Sequence, residues 1–298
     1  MSRRGWLLFA TMAVLWGIPY LLIRVAVRQL DPGVLVFGRT GPASLLLLPL
    51  VIARGQFRAI VRNFGWIVVF AFVEFGVPWY FMATAEQHIT SSLTSLLICA
   101  VPLFSVVAQR FRRTEEHISR RRLLGLGVGA LGVALLVGLG IHGGSVGWIG
   151  LMLLVAIGYT LGPILLATKL ADVPGIAVVA GATGVVALAW LPWSILHWPH
   201  HVDHETWESV AILAVACTAA AFVTFFELVQ EVGSTRSVVV TYVNTALAVV
   251  LGVVFLSEPI TTGILIGFPL VLVGSVIATS RGSSAEKVTS DADELIHG

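Results

Sequence analysis

Charge and cysteine are what this sequence has least of. Only 11% of its 298 residues are charged, against about 25% in a typical soluble domain. A chain so poor in charge cannot cover the surface of an ordinary water-soluble fold. The net charge of +2, with no basic tract interleaved with aromatics, excludes a nucleic-acid groove. The two cysteines, Cys99 and Cys217, lie in apolar runs, so they make neither an extracellular disulfide framework nor a metal-ligand pattern. Phosphate loops, G-x-S-x-G elbows and H-E-x-x-H pairs are missing too, and no cofactor and no catalytic residue are expected. His197, His200, His201 and His204 crowd one short segment. Pro199 interrupts any helix that would align them on zinc, and a solvated loop is the expected outcome.

What remains is apolar. Hydrophobic residues make up 57% of the chain and the mean hydropathy is +0.94. A membrane-spanning helix needs about 20 such residues in a row. Ten runs qualify, at 6–27, 33–53, 64–84, 91–109, 123–141, 147–168, 176–196, 209–230, 235–256 and 260–280. The expected fold is therefore an all-α polytopic membrane protein with ten transmembrane helices. Ser2-Arg3-Arg4 is read as the lead into an uncleaved first span, because no small-residue cleavage site follows it. Arg281–Gly298, rich in Ser, Asp and Glu, is expected to be a disordered tail. With the N-terminus inside, 15 of the 18 lysines and arginines fall on inner segments. That asymmetry predicts a multi-pass inner-membrane protein with both termini cytoplasmic.

The chain also repeats itself. Gly38, Thr40, Gly41 and Pro49 recur as Gly181, Thr183, Gly184 and Pro192, each 143 residues later. Glu116, Ile118, Gly125 and Gly132 recur as Glu258, Ile260, Gly267 and Gly274, each 142 residues later. Two five-helix repeats follow, at 1–143 and 144–280. An odd number of spans forces the second repeat to enter the membrane in the opposite sense. Such inverted halves recur in transporters, with a site near the midplane between them.

Trp16-Gly17 in the first span, Arg39 in the second, Pro102 in the fourth and the paired blocks at Glu116 and Glu258 together resemble the drug/metabolite transporter superfamily, in its EamA-type ten-helix form. That resemblance implies a central cavity between the halves and the export of amino acids or related small metabolites. One departure is Thr114-Glu115-Glu116 set among arginines, where the family has an apolar helix end.

Several residues are candidates for the cavity. On helical spacing, Ser91, Ser95, Cys99 and Pro102 share one face of the fourth span, and Ser237, Thr241, Asn244 and Thr245 one face of the ninth. The 142-residue offset superposes these stripes. They read either as walls that hydrogen-bond a polar solute or as small-residue packing between helices. Glu74 sits near the middle of the third span, where a charge costs roughly 2.5–3.5 kcal/mol and marks a function or a partner. It is expected either to pair with Arg39, about one turn away in depth, or to couple transport to a proton or another ion. Trp16, Tyr20, Tyr159, Phe222 and Tyr242 are the aromatic candidates, whereas Trp79, Tyr80, Trp190 and Trp198 fit an interfacial belt. Glu227 is expected to snorkel to the inner interface or to stand at the cytoplasmic mouth. Gly125, Gly129, Gly263 and Gly267 should allow close helix approach within the chain. The expected partners are a small-molecule solute and the lipid bilayer, and the oligomeric state stays open. Two other functions fit the composition. An integral membrane enzyme acting on a lipid-linked substrate would need clustered acids or histidines at one interface. A non-transporting scaffold would leave Glu74 and Asn244 without a role.

Overall fold

The computed structural model describes residues 2–111, 120–140, 146–233, 237 and 240–279. Among these, regular structure is helical throughout. In hydrocarbon every backbone N–H and C=O must be bonded within its own segment, and an apolar run meets that demand only as a helix. The helices are α1 (Arg3–Ala26), α2 (Pro32–Ala53), α3 (Phe64–Glu86), α4 (Ser91–Ala108), α5 (Arg120–Gly140), α6 (Val146–Lys169), α7 (Gly175–Leu196), α8 (His204–Val232), α9 (Val240–Leu256) and α10 (Thr262–Thr279). Seven of them, α1 to α4 and α6 to α8, are long and apolar enough to cross a membrane, and α5, α9 and α10 contain shorter apolar helices. A short helix, Phe57–Arg62, links α2 to α3. The tail after residue 280, the Glu116 block and the junction near residue 143 lie outside the described residues.

Four helices are interrupted, and the interruptions shape the interior. Pro19 has no N–H and a ring that crowds the preceding turn, and α1 breaks at Ile18. Pro102 likewise splits α4 at Cys99–Ala100, whose N–H groups fall back on the carbonyls of Leu96 and Leu97. Ser275 on α10 donates to the freed Cys99 carbonyl at 3.4 Å. A π-helical turn, Ala71–Gly76, precedes Pro78 in α3 and contains Glu74. A second one, Val215–Ala220, interrupts α8. Such turns widen a helix by one residue and recur at functional sites.

Small residues face inward and large ones outward, as expected where lipid is the solvent. On α7, Ala177, Ala180, Gly181 and Ala182 are buried, while Leu188 and Leu196 are exposed. The closest pair is α5 with α10. A Cβ on Gly132 would stand 2.6 Å from the Val271 nitrogen, and one on Gly267 would stand 2.7 Å from the Gly132 carbonyl. α2 and α7 form the other large interface, tied by Ser44, which donates to the Ala180 carbonyl at 3.2 Å.

The two ends of the bundle are fastened differently. At one end the start of α1 meets the end of α8. Ser2 donates to Glu231 at 2.5 Å, and Arg4 pairs with Glu227 at 3.2 Å. Glu227 thus ends in an exposed ion pair. At the other end Arg24 donates to the Glu86 carbonyl and Gln29 to Asp203. There Glu258, just past α9, receives the N-terminus of α4. His204 belongs to α8 rather than to a loop and pairs with Glu208 at 3.1 Å. Among the described residues no His/Cys/Asp/Glu group is placed to hold a metal ion.

Candidate functional site

Arg39 lies at the centre of the bundle. It projects from α2 and is only 6% exposed. Its guanidinium carbon stands 3.6 Å above the centre of the Trp79 ring on α3, close enough for a cation–π attraction. Its Nε–H donates to the Thr218 hydroxyl on α8 at 2.9 Å. Thr218 can present a lone pair there because its own proton goes to the Leu213 carbonyl at 2.8 Å, five residues back. That reach is set by the π turn of α8. Among the described residues Arg39 makes no ion pair and no second hydrogen bond. The titratable groups that act on it electrostatically are Tyr159, Cys217, Tyr20 and Glu86.

A small cavity opens beside the guanidinium. Its walls are Ile23, Leu35, Val36, Arg39, Trp79 and Ala83, and its volume is about 10 Å³. That is near the minimum for one water molecule. This conformation is therefore closed around Arg39.

An aromatic line runs away from the site across α3, α8 and α1. Trp79 packs on Phe75 at 4.9 Å, Phe75 on Phe222 at 5.4 Å, and Phe222 on Trp16 at 5.8 Å between ring centroids. Tyr159 lies beside Trp79, and Tyr20 is buried within electrostatic reach of Tyr159 and Arg39. Four of the five expected aromatics, Trp16, Tyr20, Tyr159 and Phe222, thus gather on one side of Arg39. Tyr242 does not. It packs with Leu96, Cys99 and Leu136 between α4, α5 and α10.

Three expectations change. The Arg39–Glu74 pair is not formed. Depth alone allowed it, but Arg39 turns to α8, while Glu74 faces α6. There an added Cβ on Gly162 would collide with the Glu74 carboxyl group, whose Oε2 is buried without a hydrogen-bond partner. Trp79 is not a belt residue. It is 5% exposed and carries Arg39 on its face. The signal for it was in the repeat, since a 143-residue shift places Trp79 on Phe222. The two polar stripes meet each other rather than an open space. Cys99 Sγ donates to Thr245 Oγ1 at 3.2 Å, Ser95 bonds to the Ser92 carbonyl, and Thr245 donates to the Thr241 carbonyl. Asn244 is buried beside them, its side-chain oxygen 3.4 Å from Thr245 Oγ1.

Glu86 escaped the sequence reading because it lies two residues past the expected end of the third span. It is fully buried, and neither carboxyl oxygen has a hydrogen-bond partner. Glu258, Arg24 and Arg39 act on it electrostatically. Glu258 itself accepts from the Ser91 and Ser92 N–H groups at 2.8 and 3.0 Å, and from their hydroxyls at 3.0 and 2.5 Å. A carboxylate at a helix N-terminus is well placed against the orphan N–H groups and the positive end of the dipole.

A helical membrane bundle with a buried cation and two unpartnered acids in its interior belongs to the class of multi-pass membrane transporters, as the comparisons bear out. Residues 3–138 and 146–280 each match the EamA-like transporter family, and the chain belongs to that family, within the drug/metabolite transporter superfamily. It is similar to the uncharacterized transporter YvbV of Bacillus subtilis (strain 168), with 22% identity over 97% of this chain and 95% of the relative. An uncharacterized transporter of Archaeoglobus fulgidus is 26% identical over 45% of this chain and 47% of its own length. A solved crystal structure shares the fold, with a TM-score of 0.66 at 20% identity over 94% of this chain and 98% of that one.

Proposed function

We propose that the protein is a secondary transporter, not an enzyme, that exports an amino acid or related small metabolite across the cell inner membrane. In this reading all ten helices span the bilayer, both termini are cytoplasmic, and two inverted halves, 1–143 and 144–280, rock about a central site. The observation that carries it is the seat of Arg39. Arg39 and Trp79 come from the first half, Thr218 and Phe222 from the second, and they meet in the interior, where an inverted-repeat carrier keeps its solute.

The internal symmetry supports the two halves. A shift of 142 carries the contact between Gly132 and Gly267 onto that between Gly274 and Gly125. A Cβ on Gly132 would stand 2.8 Å from the Gly267 carbonyl, and one on Gly274 would stand 2.7 Å from that of Gly125. α1 packs on α8 and α9, and its counterpart α6 packs on α3 and α4. The π turns starting at Ala71 and Val215 are 144 residues apart. Trp16 beside Phe222 is answered by Tyr159 beside Trp79. Contacts that return under one offset are what a pseudo-two-fold axis produces.

Glu74 and Glu86 are the coupling candidates, because buried acids without a partner commonly mark proton paths. Proteoliposomes loaded with a mixed metabolite pool, followed by mass spectrometry, test the reading. Selective efflux of a few solutes that responds to a pH gradient and falls in Glu74→Gln is the expected result. Solute-independent leakage, equal to that of empty vesicles, would sink it.

A further inference from the structure

We propose that Arg39 is the seat of an anionic group on the transported solute, a carboxylate, and that the solute's apolar remainder lies along Trp79 and Phe75. This assignment rests on the transporter reading and narrows its cargo. The guanidinium is almost fully buried, and a buried arginine ordinarily answers to a carboxylate or a ligand. Here no described acid takes it. Glu74 faces Gly162, and Glu258 is engaged by Ser91 and Ser92. Glu86 forms no ion pair with Arg39, and its oxygens touch no donor. Thr218 occupies only the Nε–H, which leaves the terminal N–H groups on the cavity side.

A guanidinium edge with both terminal nitrogens unused is a fork for the two oxygens of a carboxylate. The rest of the cavity wall is aliphatic, from Ile23, Leu35, Val36 and Ala83, and offers no donor or acceptor side chain to a cation. The cavity of about 10 Å³ has room for a water but not for a solute. Binding therefore requires the halves to part, and the solute's anion then replaces water on the guanidinium. Trp79 holds Arg39 from one face and Thr218 holds it from the edge, so the fork is already aimed when the solute arrives.

Three probes of one shape separate charge from size: 3-phenylpropionate, 3-phenylpropionamide and 3-phenylpropylamine. Their binding to the purified full-length protein is measured by tryptophan fluorescence and thermal shift. A charge-assisted bond lost in such a site is worth roughly 10- to 100-fold in affinity. The carboxylate should bind at least about tenfold more tightly than the amide, with the amine weaker still. The native protein alone thus decides the matter: equal binding of all three, or preference for the amine, overturns the proposal. Arg39→Gln should abolish the preference, and Arg39→Lys, which keeps the charge without the fork, should retain part of it. Chloride that displaces the carboxylate at equal concentration would mark an inorganic-anion seat and overturn the assignment to an organic solute. Flux in proteoliposomes separates this proposal from the one beneath it. Charge-independent flux, unchanged in Arg39→Gln, leaves the transporter and removes the anion seat. Carboxylate-selective binding with no flux of any solute leaves the seat and removes the transporter.

Discussion

Replacing Glu258 with alanine takes away one carboxylate and leaves four donors facing nothing. The Ser91 and Ser92 hydroxyls can turn back to carbonyls of the preceding turn, so their loss is small. The two N–H groups cannot. They belong to the first turn of α4, where no intrahelical acceptor exists, and they lie among buried residues. Leaving a buried donor unsatisfied costs about 1–3 kcal/mol, and the lost charge at the helix terminus adds up to about 2 kcal/mol. Nearby Thr90 already serves Leu93 and cannot substitute. The expected loss for Glu258→Ala is about 3–5 kcal/mol. Glu258→Gln, which keeps an acceptor without the charge, should lose about 1–2 kcal/mol. Reversible unfolding in mixed micelles, followed by tryptophan fluorescence, measures both. The Ser92→Ala copy should behave nearly like the native protein, because it keeps the N–H to carboxylate bond. An alanine variant within about 0.5 kcal/mol of native would refute the reasoning, since that is the scale of an ordinary surface substitution.

Three further perturbations follow from the packing. Gly132→Val places a side chain where the Val271 nitrogen and the Gly267 carbonyl already stand within 3 Å of a Cβ. It should separate α5 from α10 and cost several kcal/mol, seen as lost monodispersity in size-exclusion chromatography and a lower melting temperature. Gly162→Ala evicts the Glu74 carboxyl from its place against α6, and should depress pH-driven flux more than it depresses the melting temperature. Arg4→Gln breaks a pair whose side chains are 65% and 48% exposed, and such pairs are worth about 0–1 kcal/mol. Its melting temperature should stay at the native value.

The architecture could be read from the sequence because lipid makes it a matter of run length. The ten runs fall on the ten helices α1 to α10, and the main errors are at their ends. The third span was cut at residue 84, which hid Glu86. The eighth began at residue 209, which left His204 in a loop. The interruptions at Pro19 and Pro102 follow from proline itself, but the π turns at Ala71–Gly76 and Val215–Ala220 have no period of their own to reveal them. The site was legible as a set of residues and not as an arrangement. Arg39, Trp16, Tyr20, Tyr159 and Phe222 were named, because charges and aromatics in apolar runs stand out. Which way each side chain turns depends on packing between helices far apart in sequence. Rise per residue gave Arg39 and Glu74 similar depths, yet the azimuth sent one to Thr218 and the other to Gly162. For the same reason Cys99 and Thr245 lay on two polar stripes whose mutual contact could not be seen from either helix alone. Trp79 was recoverable, had its 143-residue partner Phe222 been weighed above its neighbours in the chain.

The central claim is that the two ends of the bundle open in turn around Arg39, and cross-linking tests it most directly. Each end offers a contact between side chains of different halves: Ser2 with Glu231 at one, Gln29 with Asp203 at the other. Cysteines are placed as Ser2→Cys with Glu231→Cys, and separately as Gln29→Cys with Asp203→Cys. The native Cys99 and Cys217 are buried and should not compete for a short, bifunctional thiol reagent. Efflux from metabolite-loaded proteoliposomes is then read before and after locking. The account predicts that locking either end alone stops efflux, and that a reducible linker restores it on reduction. Efflux that continues with an end locked shut would contradict it.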